Sequence, residues 1–305
     1  MTATRERVLV TGAGGQLGRY LRASLASSGY QVVGLGSTLA PGVDVVADIT
    51  DRDLLASTFG DVAPLAVIHG AAYTDVDGCE RDPEKADRVN HLGSRYLAEL
   101  AADAGIWMVA VGTDFVYSGN GGAPYSERAV PDPISVYGAS KLAGEVAVLA
   151  TEPSFAVART SWVYGGQGKH FPRTVLSMVA NRGGMEVVDD EISAPTFAGD
   201  LADALVKLLP HRASGIFHLS NEGSVSRFGL ARSVVAAAGG DPAVIAPTTT
   251  EAFLAKYPLP AKRPANSTLA NNRAAAIGIR LPAWEDAVAR YVPRLAAELQ
   301  AASAT

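Results

Sequence analysis

The feature that most constrains this chain is a glycine-rich turn near its first residues. The apolar run Val8–Val10 leads into Gly12, Gly15 and Gly18, and an amphipathic segment follows from Tyr20 to Ser28. A strand, a turn and a helix in this order bring bare backbone and a helix N-terminus to a pyrophosphate group. The pattern predicts a dinucleotide-binding βα unit, and a tight turn without a ligand is the alternative for a glycine triplet taken alone.

The composition narrows the classes of partner. The 305 residues are 48% hydrophobic and 19% charged, which is ordinary for a folded globular protein. The net charge of −5, with basic residues spread along the chain, argues against nucleic acid or a membrane surface as a partner. Cys79 is the only cysteine, no signal peptide precedes a first strand near Arg7, and no apolar run approaches the ~20 residues that span a bilayer. We expect a cytoplasmic protein.

Short apolar runs alternate with helical patterns through the first half of the chain, which is typical of a doubly wound parallel sheet. The clearest helical patterns are Glu84–Ala104 and Tyr137–Leu149. We predict a Rossmann-type α/β domain over residues 1–162 that carries the dinucleotide site. After the first strand, its predicted strands are Gln31–Leu35, Val43–Ala47, Ala66–Gly70, Ile106–Val111 and Phe155–Arg159.

The regular alternation of apolar runs and helical patterns ends after Trp162. A glycine-rich segment and a helical stretch to Ala180 precede isolated strands near Glu186–Val188 and Gly215–Leu219, and Pro242 to Pro264 reads as proline-rich loops. Residues 163–305 are therefore predicted to form mainly a smaller C-terminal α/β substrate lobe, with some segments returning to the Rossmann domain.

Tyr137 and Lys141 supply the most specific chemical signal. They lie four positions apart at the head of a predicted helix, and therefore on one face. A positive charge near a phenol favours proton exchange, so the pair can act as a general acid and base. Thr113 lies at the end of the fifth predicted strand, just beyond Val111, and could orient a substrate carbonyl opposite the tyrosine. A solvated helix face is the alternative for the pair alone, but the preceding glycine turn favours catalysis.

With these residues together, the chain resembles the extended short-chain dehydrogenase/reductase family, which carries this glycine turn, a Ser or Thr after the fifth strand and Tyr-x-x-x-Lys. Within it, a narrower resemblance to the dTDP-4-dehydrorhamnose reductases extends over nearly the whole chain. The segments that carry the narrower resemblance are Ala71–Asp77, Thr113–Tyr117, Val136–Glu145, Arg159–Tyr164 and Arg263–Leu269.

The resemblance implies hydride transfer from a reduced nicotinamide to C4 of a dTDP-4-keto-6-deoxysugar, to give dTDP-L-rhamnose or a related deoxysugar of a secondary metabolite. Tyr137 is then the proton donor, Lys141 holds the nicotinamide ribose and lowers the tyrosine pKa, and Thr113 hydrogen-bonds the substrate. Asn90 matches an asparagine that supports the active-site helix, and a helix-bending or capping role is its alternative.

The remaining site residues are assigned from the motifs and the resemblance together. Asp48 could instead be a helix N-cap, Trp162 a core aromatic and Arg263 a residue that orders a loop. The predicted cofactor-binding residues are Gly12, Gly15, Gln16, Leu17, Gly18, Asp48, Ile49, Ala71, Ala72, Tyr73, Tyr137 and Lys141. The predicted substrate-binding residues are Val76, Asp77, Thr113, Asp114, Phe115, Trp162, Arg263 and Asn266.

The second predicted strand bears on the choice between NADPH and NADH. An acidic residue about twenty positions beyond the glycines would bind a ribose 2′-hydroxyl, but Leu35–Thr38 offers none, and Arg19 follows the turn. Because a 2′-phosphate would meet no repulsion here, NADPH is favoured over NADH.

The sequence also bears on several other activities. Phe115 stands where the related 4,6-dehydratases carry a catalytic glutamate, which disfavours dehydration. A sugar-nucleotide epimerase, which keeps the same triad, stays an alternative function, as does a non-catalytic subunit like the regulatory β subunit of methionine adenosyltransferase.

No metal site is predicted from the scattered histidines. The acidic run Asp189–Glu191 is interpreted as a solvated loop, with a cation at a subunit contact as the alternative. The sequence leaves a homodimer open.

Overall fold

The computed structural model describes residues 6–121 and 124–303, so the outermost residues of both predicted domains lie outside it. Its strands are β1 (Arg7–Thr11), β2 (Gln31–Gly36), β3 (Val45–Val46), β4 (Ala66–His69), β5 (Trp107–Thr113), β6 (Ala156–Thr160), β7 (Val163–Tyr164), β8 (Met185–Val188), β9 (Ile192–Ser193), β10 (Thr196–Phe197), β11 (Gly215–His218), β12 (Val225–Ser226) and β13 (Ile245–Thr248). Its α-helices are α1 (Gln16–Ser27), α2 (Arg52–Val62), α3 (Val76–Arg81), α4 (Pro83–Ala86), α5 (Gly93–Asp103), α6 (Val136–Thr151), α7 (Phe171–Arg182), α8 (Ala198–Leu208), α9 (Arg227–Ala237), α10 (Thr250–Lys256), α11 (Asn272–Ala276) and α12 (Trp284–Ser303).

A seven-stranded sheet forms the centre of the fold, in the order β11-β6-β5-β4-β1-β2-β3. Every neighbouring pair in it is parallel. The chain order reverses between β1 and β4, and in such sheets ligands bind outside the carboxyl ends of the strands at this point. The predicted Rossmann-type α/β fold is confirmed.

The local sequence explains the first βα unit. All residues of β1 after Arg7 are buried, as expected of a central parallel strand. The helix α1 buries Leu21 and Leu25 and leaves its other face polar, so it packs on the sheet along one side. Gly15 is the N-cap of α1, and no side chain caps this end.

A second apolar core lies beyond Trp162. It is formed by residues of α7, α9 and α12 together with the parallel pair of β8 and β13. The boundary at residue 162 is crossed by other segments, because α8 and β11 contribute buried residues to the first core. The second core and the central sheet therefore share the second half of the chain.

Three details differ from the sequence predictions. Gly215–Leu219 is not an isolated strand of the lobe, because β11 pairs with β6 in the central sheet. The proline-rich segment from Pro242 includes β13 and α10. The third strand spans Val45–Val46 rather than Val43–Ala47, since Val43 lies in a turn closed by its N–H and the Ala40 carbonyl.

The predicted helix Glu84–Ala104 is interrupted by a change of helix type. Between α4 and α5 the residues Asp87–Leu92 form a π-helix, which widens one turn. Asn90, in the middle of this segment, is buried at 1% exposure.

Within the described ranges, no helix has the length and apolar character needed to cross a membrane.

Candidate active site

The glycine turn is shaped by three different requirements. Gly12 has φ of 71°, and a Cβ there would lie 2.8 Å from the Ala71 nitrogen. A Cβ on Gly18 would lie 2.5 Å from Ala13 Cα, so this glycine permits close packing of helix and strand. A Cβ on Gly15 would meet only the Gly12 carbonyl oxygen, at 3.1 Å. The space beside Gly15 is therefore open rather than filled by the protein.

This open space lies at the N-terminus of α1. The first turn of α1 holds no acidic side chain, and no side chain occupies its N-terminal N–H groups. Helix N-termini of this kind attract the negative charge of a pyrophosphate. Gln16 lies at the same end, where its Nε2 donates to the Lys169 carbonyl at 2.8 Å, and Leu17 packs against the first core.

The predicted adenine contacts follow the third strand. Ile49 is buried, and a Cβ on Gly93 would lie 2.8 Å from its Cδ1. Asp48 is exposed, and its Oδ1 accepts hydrogen bonds from the Thr50 N–H and hydroxyl, both at 2.9 Å. The alternative interpretation of Asp48 as the helix N-cap is wrong, because Asp51 caps α2.

The residues at the end of β2 bear on the choice of cofactor. Ser37 and Thr38 are exposed, and Arg19 is half-buried. The nearby carboxylate of Asp44 forms an ion pair with Arg22 and accepts a hydrogen bond from the Gly34 N–H at 2.7 Å. No unpaired acidic group opposes a 2′-phosphate among these residues.

The catalytic candidates meet at the carboxyl end of β5. Thr113 ends β5, Tyr137 lies in the first turn of α6, and Lys141 follows one turn later. Ser135 caps α6 by accepting a hydrogen bond from the Gly138 N–H, which fixes the start of the helix just before Tyr137. The Tyr137 ring packs edge-on against Phe115, with centroids 5.5 Å apart.

Burial controls the protonation of this group. It raises the pKa of Tyr137 above the ordinary 10.0, and a hydrogen bond with Thr113 only partly opposes the increase. That Lys141 lowers this pKa stays a prediction: its ammonium donates to the Val111 carbonyl at 2.8 Å, and burial sets the net upward direction of the Tyr137 pKa. Burial also lowers the pKa of Lys141, and the nearby Glu145 carboxylate raises it. The phenol is therefore held in its neutral, proton-donating form.

Asn90 connects the loop that follows β4 to the helix α6. Its Nδ2 donates to the Ser140 hydroxyl at 3.0 Å and to the Tyr73 carbonyl at 3.1 Å, and its Oδ1 accepts from the Tyr73 N–H at 2.8 Å. Ala71 and Ala72 precede Tyr73 in this loop. The asparagine thus supports α6 between Tyr137 and Lys141, as the resemblance implies.

Asp114 joins the sheet to the lobe. It is 2% exposed, and its carboxylate accepts hydrogen bonds from the hydroxyls of Ser193, at 3.2 Å, and Ser267. Burial raises its pKa to about 6. Asn266, which precedes Ser267 in the chain, accepts hydrogen bonds from the N–H and hydroxyl of Thr268.

Asp77 and Arg263 form an ion pair at 2.7 Å, between α3 and the loop before Asn266. Arg263 also donates to the Ala261 carbonyl at 2.9 Å, which agrees with its loop-ordering alternative. Val76 is half-buried beside Asp77. The structure therefore brings these predicted substrate residues together.

Trp162 has a partner that the sequence analysis missed. Its backbone lies in the left-handed region, with φ of 43°, and the Arg227 guanidinium carbon lies 3.6 Å from its ring centroid. Arg227 is the first residue of α9, distant in sequence, and no motif linked it to Trp162.

The acidic run is a solvated loop at Asp189 and Asp190, which are both exposed, but not at Glu191, which is 9% exposed and faces Arg227. Among the described residues, no group of three His, Cys, Asp or Glu side chains could hold a metal ion.

Known proteins resemble this chain in sequence and in fold. A family model described as RmlD substrate binding domain matches residues 6–297. A dTDP-4-dehydrorhamnose reductase from Mycobacterium tuberculosis is 41% identical over 95% of this chain and 93% of its own length. The spore coat polysaccharide biosynthesis protein SpsK from Bacillus subtilis is 37% identical over 94% and 96%. A crystal structure of dTDP-4-dehydrorhamnose reductase from Bacillus anthracis, in complex with NADP, superposes with a TM-score of 0.87 at 33% identity, covering 94% of this chain and 99% of that one.

Proposed function

The chain belongs to the family described as RmlD substrate binding domain, and from this membership we propose that it reduces the C4 ketone of a dTDP-4-keto-6-deoxysugar with NADPH. Relatives named dTDP-4-dehydrorhamnose reductase support dTDP-4-dehydro-L-rhamnose as the substrate and dTDP-L-rhamnose as the product, or a related deoxysugar. The NADP in the Bacillus anthracis structure supports the cofactor. The observation that carries the proposal is the convergence of Thr113, Tyr137 and Lys141 near an open dinucleotide turn.

The residues of the chain account for the proton in this reaction. The reduced nicotinamide, when bound, supplies a hydride to C4 of the sugar. Tyr137 transfers its phenolic proton to the C4 oxygen, which completes the secondary alcohol, because burial keeps that phenol protonated. Thr113 donates a hydrogen bond to the same oxygen. Lys141 holds a positive charge one helical turn from the phenolate that is left, and Glu145 favours that charge.

The other activities have less support. Phe115 presents an apolar ring to Tyr137, so the position offers no carboxylate for the elimination of water. An epimerase and a regulatory subunit use the same fold, but the named relatives favour neither. Residues 163–305 are proposed to supply mainly the substrate lobe. A homodimer and a cytoplasmic location stay predictions from the sequence.

The proposal is tested with purified protein, NADPH and a panel of dTDP-4-keto-6-deoxysugars. We expect NADPH to be oxidised in step with the appearance of a sugar alcohol at C4. Thymidine diphosphate should compete with the sugar nucleotide and not with NADPH, since the two bind different parts of the crevice. A protein that consumes no NADPH with any of these sugars would contradict the assignment.

A further inference from the structure

The Arg227 guanidinium lies over two aromatic rings. Its central carbon lies 3.6 Å from the Trp162 ring centroid and 5.1 Å from that of Phe171. The closest carboxylate oxygen, on Glu191, is 3.8 Å from Nε, beyond hydrogen-bond distance. Within the part of the chain that the structure describes, no acceptor receives a hydrogen bond from this guanidinium. Its five donors are thus oriented but not used.

Arg227 lies on the substrate side of the site. The strand β12 ends just before it and pairs with β9, which contains Ser193. The Ser193 hydroxyl donates to Asp114, the residue that follows Thr113. The charge of Arg227 also reaches Asp114, where it lowers the carboxyl pKa against the effect of burial. These links connect Arg227 to the catalytic end of β5.

Charges of both signs surround Arg227: the carboxylates of Glu191 and Asp114 favour its positive charge, and Arg263 opposes it. Burial lowers its pKa to about 10, so the group is still a cation at neutral pH, and the positive charge of Arg263 acts in the same direction. Arg263 is satisfied by Asp77 and the Ala261 carbonyl, whereas Arg227 has only the more distant Glu191. Of the two arginines, Arg227 is the one with donors available for phosphate oxygens.

We propose that Arg227 binds the diphosphate of the sugar-nucleotide substrate directly, with Trp162 and Phe171 fixing the plane of its guanidinium. The inference rests on the proposed function and assigns the phosphate contact to a residue outside the recognised motifs. Its stacked position reduces the rotational freedom that a free arginine would lose on binding. Trp162 thereby acts on the substrate through Arg227 as well as by any contact of its own.

The test compares ligands with and without phosphate. Binding of thymidine, thymidine diphosphate and NADPH is measured for the wild type, Arg227→Gln and Arg227→Lys. The control is Arg232→Gln, on the same helix, where the exposed Arg232 packs near the Phe228 ring. The quantity of interest is the ratio of the thymidine Kd to the thymidine diphosphate Kd, which isolates the phosphate contribution.

We expect Arg227→Gln to reduce this ratio by about tenfold or more, because a charge-assisted contact is lost. Arg227→Lys should reduce it less, and Arg232→Gln should leave it unchanged. The NADPH Kd should stay the same in all variants, which also verifies that they fold.

Equal weakening of thymidine and thymidine diphosphate binding would mean that Arg227 only supports Trp162, and would overturn the inference. An unchanged ratio would overturn it too. A wild type that binds NADPH but not thymidine diphosphate would instead refute the proposed function and this inference together.

Discussion

At the scale of single residues, the protonation of Tyr137 follows from its surroundings. The buried phenol has an elevated pKa, while Lys141 is directed to a backbone carbonyl. A site for ketone reduction needs a proton donor at neutral pH, and a neutral phenol meets that need. The positively charged lysine matters after the proton has left, when it faces a phenolate.

Replacing Tyr137 with phenylalanine tests this role. Phenylalanine keeps the ring that packs against Phe115 but has no proton to donate. We expect Tyr137→Phe to bind NADPH normally and to lose roughly 10²–10⁴ in kcat, the usual contribution of a general acid. Steady-state kinetics and NADPH titration measure the two quantities. Wild-type turnover in this variant would remove Tyr137 from its role.

At the scale of elements, the first βα unit separates structural glycines from the ligand-facing one. Gly18 permits the contact between helix and strand, whereas Gly15 borders open space. The sequence pattern predicted a tight turn, an approach of the pyrophosphate and a contact of helix with sheet at these glycines, and the neighbours Ala71 and Ala13 account for the first and the last.

The two glycines should therefore respond differently to substitution. Gly18→Ala places a Cβ 2.5 Å from backbone atoms of Ala13, so it should lower the unfolding temperature markedly. Gly15→Val should leave most of the stability but weaken NADPH binding, since its side chain fills the pyrophosphate position. Thermal unfolding and NADPH titration on both variants check this. Equal effects of the two substitutions on stability and on binding would show that the distinction is mistaken.

The sequence predicted features that are formed by residues close together in the chain, but not contacts between distant segments. The glycine turn and the Tyr137 helix were predictable, because their residues are close in sequence and their spacing reports geometry. The pairing of β11 with β6 and the stacking of Arg227 on Trp162 were not. Both join distant segments through tertiary packing, which leaves no periodic signal in one sequence.

At the scale of the whole molecule, buried histidines join segments that are distant in sequence, and His218 joins the two halves of the chain. His69 links β1 to α5 through Thr11 and Ser94. The Tyr117 hydroxyl donates to His218 Nε2, and His218 Nδ1 donates to the Ala270 carbonyl. Burial lowers the pKa of His69 and His218 to about 3 and that of His170 to about 4, from the ordinary 6.5.

These shifts predict sensitivity to acid. Below pH 6.5 the unfolded chain takes up protons on these histidines before the folded protein does, so their stabilising effect, present above that pH, is lost on acidification. His218→Gln removes one such group. The stability of the wild type should therefore fall more steeply than that of the variant, by about 1.4 kcal/mol per pH unit. Denaturant unfolding from pH 7 to pH 5 gives both slopes, and parallel curves would contradict the prediction.

The central claim is that this site transfers a hydride to C4 of a dTDP-sugar. The most direct measurement uses NADPH deuterated at the transferred position of the nicotinamide, the dTDP-4-keto-6-deoxysugar that the protein accepts, and mass spectrometry with NMR of the product. The account predicts one deuterium, bonded to C4, with one NADPH oxidised for each product and almost no product from Tyr137→Phe. A product that carries no deuterium, or carries it at another carbon, would contradict the account.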